Sequence, residues 1–263
     1  VPFYTVITDL ATVHRLWFHP RVDGLLVPNQ IVANLATSYQ VKPAKIKITG
    51  IPVSPDIAAE TRSKAEVREE LGWQPDLPTV LAVGSKRMQR LVDALHVLNH
   101  YGTPIQVVVV TGNDQELFDE LNHLTWHVPV KLYGFVENLA EFMKAADLLM
   151  CKAGGLIVTE ALASGLPMIL IEAIPGQETG NAEYVTSNGA GDMAQSTLEI
   201  LEVVHHLVKG NQVLLKNRAA NACRMGMDQS ALDVAKILWK AANEGVPHRQ
   251  RSLPGTLSTI LTK

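Results

Sequence analysis

Two adjacent glycines, Gly154 and Gly155, are followed five residues later by Glu160, and a polar run, GQETGN, occupies residues 176–181. These types and spacings suit a polar, anionic ligand. Backbone N–H groups at a helix amino end attract anions, and glycine lets the backbone come close to one. A carboxylate offers several acceptor positions to neighbouring hydroxyls, and the amides and carboxylates of Gln177, Glu178 and Asn181 offer both donors and acceptors. Plainer readings stand beside these. A strand-to-helix turn also favours glycine, Glu160 could be a solvated helix residue, and polar residues are ordinary helix caps.

The elements that must position them follow from the local pattern. Apolar runs at 131–135, 148–151 and 167–171 read as strands, each followed by small or polar residues and then a helical segment. Both polar loops therefore follow neighbouring strands. In an open parallel sheet, such loops line the ligand crevice at the strands' carboxyl ends. Upstream, strands are expected at 3–8, 24–27 and 45–49, with a helix from Pro28-Asn29 to about Tyr39. Residues 52–62 read as a linker. Ser63 and Glu66 have capping-box spacing, and Gly72 stops that helix. Strands at 79–83 and 105–110 alternate with helices at 88–99 and 114–122. A short strand at 189–193 and helices at 196–208, 212–223 and 230–243 complete the pattern. This alternation predicts an α/β, doubly wound parallel sheet.

Composition narrows the class. The 263 residues are 47% hydrophobic and 19% charged, with net charge −3, which gives no global attraction to nucleic acid. Two cysteines, Cys151 and Cys223, are too few for a disulfide framework and predict reduced, buried thiols in a cytosolic protein. No apolar run reaches the ~18 to 20 residues that span a bilayer. The histidines, His205-His206 included, show no metal-ligand spacing, and no cofactor is implied.

The segments VITDLATVHRLWF (residues 6–18), VDGLLVPNQIV (22–32), GIPVSP (50–55), GFVENL (134–139), KAGGLIVTEALASGLPMIL (152–170) and IPGQETGNAEYV (174–185) occur in one order. In that order they resemble the UDP-sugar-dependent glycolipid glycosyltransferases. The closest are the monogalactosyl- and glucosyl-diacylglycerol synthases; the peptidoglycan N-acetylglucosaminyltransferase is a more distant relative. The resemblance implies a GT-B-like fold of two Rossmann-like domains. Residues 1–52 would be the rear part of an incomplete acceptor-side domain and 53–229 the nucleotide-sugar domain. Residues 230–263 would be a helix and tail crossing back to the first. It also implies inverting transfer of galactose or glucose from a UDP-sugar to diacylglycerol, peripherally on the cytoplasmic face of a membrane. The alternatives are a peptidoglycan-precursor transferase and a non-catalytic nucleotide-sugar-binding remnant.

By the same resemblance, Gly84, Ser85, Lys86, Phe135, Val136, Gly154, Gly155 and Glu160 would bind the nucleotide, with Glu160 on the ribose and Phe135 and Val136 at the uracil. Gly176, Gln177, Glu178 and Asn181 would contact the sugar. Asp9 and His14 would face the acceptor, where a base is needed; structural roles for both, as a cap and in a loop, remain open. The sequence departs from the family twice. The Gly-x-Gly-His loop with the usual catalytic histidine is absent, so an upstream segment is expected, and the isolated chain should bind UDP without transferring sugar. Ser54 stands where the family has arginine, while Lys86 and Arg87 appear in the loop GSKRM (84–88), where they could restore charge at the diphosphate.

Overall fold

The computed structural model describes residues 2–85, 88–102, 104–210 and 212–244. The chain builds two parallel sheets. The first contains β1 (Tyr4–Val6), β2 (Gly24–Val27) and β3 (Ile46–Ile48) in that spatial order, with α1 (Gln30–Ser38) between β2 and β3. The Asn29 side chain accepts from Val32 N at 3.1 Å and caps α1. A small core of Ile7, Val13, Phe18, Leu25, Val32 and Ala36 fills this unit.

Two helices follow, α2 (Pro55–Ala59) and α3 (Lys64–Leu71). The first lies inside the expected linker: Pro55 presets the first helical position and the Ser54 side chain caps it by accepting from Asp56 N. Ser63 and Glu66 form the full capping box, and Gly72 ends α3 in the left-handed region at φ 64°.

The larger unit then runs β4 (Thr79–Val83), α4 (Gln89–Asn99), β5 (Gln106–Val110), α5 (Gln115–Asn122), β6 (Val130–Tyr133), α6 (Leu139–Ala145), β7 (Leu148–Lys152), α7 (Gly155–Ala163), β8 (Met168–Glu172), α8 (Thr179–Ser187) and β9 (Gly191–Met193). It closes with α9 (Thr197–Val208), α10 (Val213–Met225) and α11 (Ser230–Glu244). All neighbouring strands are parallel, in the order β6-β5-β4-β7-β8-β9. Alternate residues feed two cores. Leu81, Val108, Leu149 and Leu170 face a layer with α3, α6, α7 and α8; Val80, Val107, Met150 and Ile169 face α4, α5 and α9. Burial on both faces explains the unbroken apolar strands.

The strand order reverses between β4 and β7, which places the ligand crevice of an open sheet at their carboxyl ends. Cys151 is buried, and burial pushes its thiol up to about 12; Cys223, contrary to expectation, is exposed on α10. Among the described residues no helix is long and apolar enough to cross a membrane.

Candidate nucleotide-sugar site

Four loops meet at the carboxyl end of the larger sheet. Gly84 and Ser85 follow β4, and Ser85 borders a polar hollow of about 560 Å³ with Thr111, Asn113 and Gln115. Phe135 and Val136 follow β6. The Phe135 ring is 67% exposed and is not spent on core packing, whereas Val136 packs partly against the core. Gly154 and Gly155 follow β7 and open α7. Lys86 and Arg87 lie outside the described residues. Ser54 is turned to capping α2, and its hydroxyl donates to Asp56 Oδ2 at 2.9 Å.

Glu160 sits on the second turn of α7. Burial pushes its carboxyl pKa up, and its side chain has no hydrogen-bond or ion-pair partner among the described residues. A half-buried carboxylate left this way is costly unless something else satisfies it. No comparable vacancy marks Glu178 or Asn181. Glu178 is 6% exposed, paired with Lys152 at 2.9 Å and accepting from Ile174 N at 2.9 Å. Asn181 is fully buried; it accepts from Leu10 N at 2.9 Å and donates to Ala153 O at 3.2 Å.

Asn181 belongs to a seam between the two sheets. Residues 8–12 lie across the amino ends of α7 and α8, so close that a Cβ on Gly155 would stand 2.5 Å from Thr8 O, and one on Gly180 2.7 Å from Thr12 N. Asn29 secures the same loop by donating to Leu10 O at 2.7 Å. Gly155 is thus required by this close approach as well as by its helix start. Sequence reasoning missed the seam: Gly180, Thr8 and Thr12 carry no signal except through their three-dimensional neighbours.

Beside the seam lies a cleft of about 360 Å³. Thr8, Asp9, Thr12, His14 and Trp17 line one side, Gly176 and Gln177 the other. The structure therefore brings Asp9, His14, Gly176 and Gln177 together. Glu160, on α7, and Phe135, on the loop after β6, do not line this hollow but lie towards the same end of the sheet. Burial pushes the Asp9 carboxyl up; a hydrogen bond from Asn181 pulls it back and the Glu178 carboxylate pushes it up again, for a net rise. His14 is exposed and caps a short 3-10 turn by accepting from Leu16 N.

Residues 79–236 match the Glycosyltransferase family 28 C-terminal domain. The chain belongs to that family. Residues 1–53 match the monogalactosyldiacylglycerol (MGDG) synthase family in addition. The chain is 38% identical over 261 residues to the chloroplastic monogalactosyldiacylglycerol synthase of Spinacia oleracea, covering 96% of this chain and 50% of that one. It is 35% identical over 242 residues to monogalactosyldiacylglycerol synthase 1, chloroplastic, of Arabidopsis thaliana, covering 89% and 45%. The chain thus spans about half the length of these relatives. Among solved structures, the Acinetobacter baumannii MurG superposes with a TM-score of 0.65 at 16% identity, over 91% of this chain and 67% of that one. The S. aureus MnaA–UDP structure gives 0.68 at 13%, over 95% and 72%. At these identities the likeness establishes the fold, which is GT-B-like, as the family 28 resemblance implies.

Proposed function

We propose that this chain carries the nucleotide-sugar half of a hexosyltransferase that moves galactose or glucose from a UDP-sugar to diacylglycerol with inversion. The observation that carries the reading is Glu160, a half-buried carboxylate with no partner among the described residues, one turn past a Gly-Gly helix start at the switch point of the sheet. It would accept the ribose hydroxyls, whose two donors a carboxylate can meet together. Phe135 offers an exposed ring to the uracil, with Val136 reading its edge. Gly84, Ser85, Gly154 and Gly155 border the diphosphate; backbone N–H groups stabilise the leaving UDP without requiring a metal. Gln177, with Gly176, faces the hexose, and Asp9 is the carboxylate nearest the acceptor side of the cleft.

Residues 1–52 then serve the acceptor, 53–229 the nucleotide sugar, and α11 (Ser230–Glu244) runs back towards the first unit, while the expected tail, 245–263, lies outside the described residues. Ser230 fits this division, because its hydroxyl donates to Ile51 O at 2.7 Å and accepts from Val53 N at 3.2 Å. The match of residues 1–53 to the diacylglycerol-using branch supports that acceptor over a peptidoglycan precursor. Peripheral contact with the cytoplasmic face of a membrane fits the exposed Leu16 and Trp17 beside the cleft.

Calorimetry with UDP tests the reading. Glu160→Ala should weaken binding about ten- to a hundredfold, the value of a charged hydrogen bond. Unchanged affinity in a folded variant would remove Glu160 from the site.

A further inference from the structure

We propose that Glu178 and Lys152 are positioning residues: their ion pair fixes the turn that presents Gln177 to the hexose, and Glu178 itself does not touch the sugar. The inference rests on the reading of the cleft as a nucleotide-sugar site.

The turn joins β8 to α8. Its backbone closes on one residue, with Gln177 N and Glu178 N both donating to Ile174 O at 3.2 and 2.8 Å. The Glu178 carboxylate reaches back across the same turn and accepts from Ile174 N at 2.9 Å through Oε2. Its other oxygen, Oε1, takes Lys152 Nζ at 2.9 Å. Both oxygens are therefore engaged inside the protein, in a side chain only 7% exposed.

Lys152 reaches this position because the β7–β8 ladder slips between Cys151, opposite Leu170, and Lys152, opposite Glu172. Such an irregularity re-aims the side chain beyond it. The cation thereby ties the turn to the end of β7, next to Gly154, whose added Cβ would stand 3.7 Å from Glu178 Oε1. Gly176, at φ 76°, makes the bend that leaves Gln177 exposed on the cleft wall. A buried carboxylate held by a part-exposed cation is a costly device, and the best-attested use of such pairs is to specify one geometry. Here the geometry is that of the residue beside it.

The test uses Lys152→Met, Glu178→Gln and the double variant of the 263-residue chain, titrated calorimetrically with UDP, UDP-galactose and UDP-glucose. UDP affinity should stay within about threefold throughout, since the pair does not touch the nucleotide. Lys152→Met strands a buried carboxylate and should lower UDP-hexose affinity about tenfold. Adding Glu178→Gln removes the stranded charge while keeping an acceptor for Ile174 N, and should restore UDP-hexose affinity to within about threefold of the parent. Gln177→Ala should lower UDP-hexose affinity in the parent and have little further effect in Lys152→Met. If Glu178 bonds the sugar directly, the double variant will be weaker than either single one, and the positioning role is overturned while the site stands. If the parent chain binds neither UDP nor UDP-hexose, the site reading fails and this inference with it.

Discussion

Asp147 and Glu160, at opposite ends of the larger sheet, are treated in opposite ways. At the amino end, Asp147 stands where β4 and β7 begin and is fully used. It takes Lys64 Nζ at 2.6 Å, Arg68 Nη2 at 2.5 Å and Thr79 N at 2.8 Å. Arg68, itself buried, spends its remaining donors on the carbonyls of Ala145, Pro75 and Leu77. At the carboxyl end, Glu160 is half-buried with no partner among the described residues, and Phe135 and Leu156 leave apolar surface in the open. Asp147 is satisfied by its own chain; Glu160, among the described residues, is not. Buried polar groups in folded proteins are normally satisfied, so the end that breaks the rule is where function is sought.

The contrast is broken most severely at the amino end. Asp147→Asn leaves the buried Arg68 without its counter-charge and should cost about 3 kcal/mol, at the low end for broken buried pairs because Asp147 keeps some exposure. Burial opposes ionisation of Asp147, but Lys64, Thr79 N and Arg68 outweigh it and hold the pKa below the ordinary 3.8. A depressed carboxylate gives its stability above the unfolded-state pKa and loses it as pH falls through the folded one. The difference between parent and variant in urea titrations should therefore be constant above about pH 5 and shrink below pH 4. A loss under 1 kcal/mol at pH 7 would show the amino end to be ordinary surface.

The seam is the next test, because it lies at the carboxyl end yet is internally satisfied. Gly155→Ala drives a methyl group against Thr8 O, and backbone cannot yield as a side-chain tip can. The cost should be about 2 kcal/mol, read as faster amide exchange in β1 to β3 than in β4 to β9. Gly134→Ala is the control, since its Cβ would meet Gly112 O at an ordinary 3.6 Å. Equal acceleration in both sheets would mean that the seam does not couple them. Asn181→Ala should cost about 1.5 kcal/mol at the same place by leaving Leu10 N unpaired.

Much of this was legible in the sequence where one local rule decides. The strand 79–83 was bounded by its apolar run alone, and Ser63 with Glu66 marked a helix start that depends on nothing distant. The loops of the site were legible because glycine and polar residues punctuate strand ends. The helix at Pro55–Ala59 was hidden by its proline and alanine content, although Ser54-Pro55 is a cap followed by a preset first turn. The internal partners of Glu178 and Asn181 were beyond sequence reasoning. Lys152 lies 26 positions from Glu178 and Leu10 lies 171 from Asn181, and only the folded sheet brings them together. In the sequence, Asn181 in its polar run looks the same whether it faces a ligand or a buried loop.

The smallest effect, and the one that sharpens the contrast most, has the opposite sign. If Glu160 is held partnerless for a ligand, then in the ligand-free protein it is a liability, and neutralising it should stabilise the fold. Glu160→Gln keeps the shape and removes the desolvated charge, so the gain should be about 0.5 to 1 kcal/mol at pH 7. The sign with pH follows from burial raising the folded pKa. A raised carboxyl binds its proton more tightly when folded, so the parent loses stability as pH rises from the unfolded value, near 4.5, through the folded one. Parent and variant should thus be equally stable at about pH 4 and diverge upward, the reverse of the Asp147 pair. Saturating UDP should close or invert the gap, because only the carboxylate can accept both ribose hydroxyls at full strength. Thermal melts at pH 4 and pH 7, with and without UDP, separate the cases. A Gln variant less stable than its parent at pH 7 without ligand would mean that Glu160 is satisfied within the chain, and the two ends of the sheet would then obey the same rule.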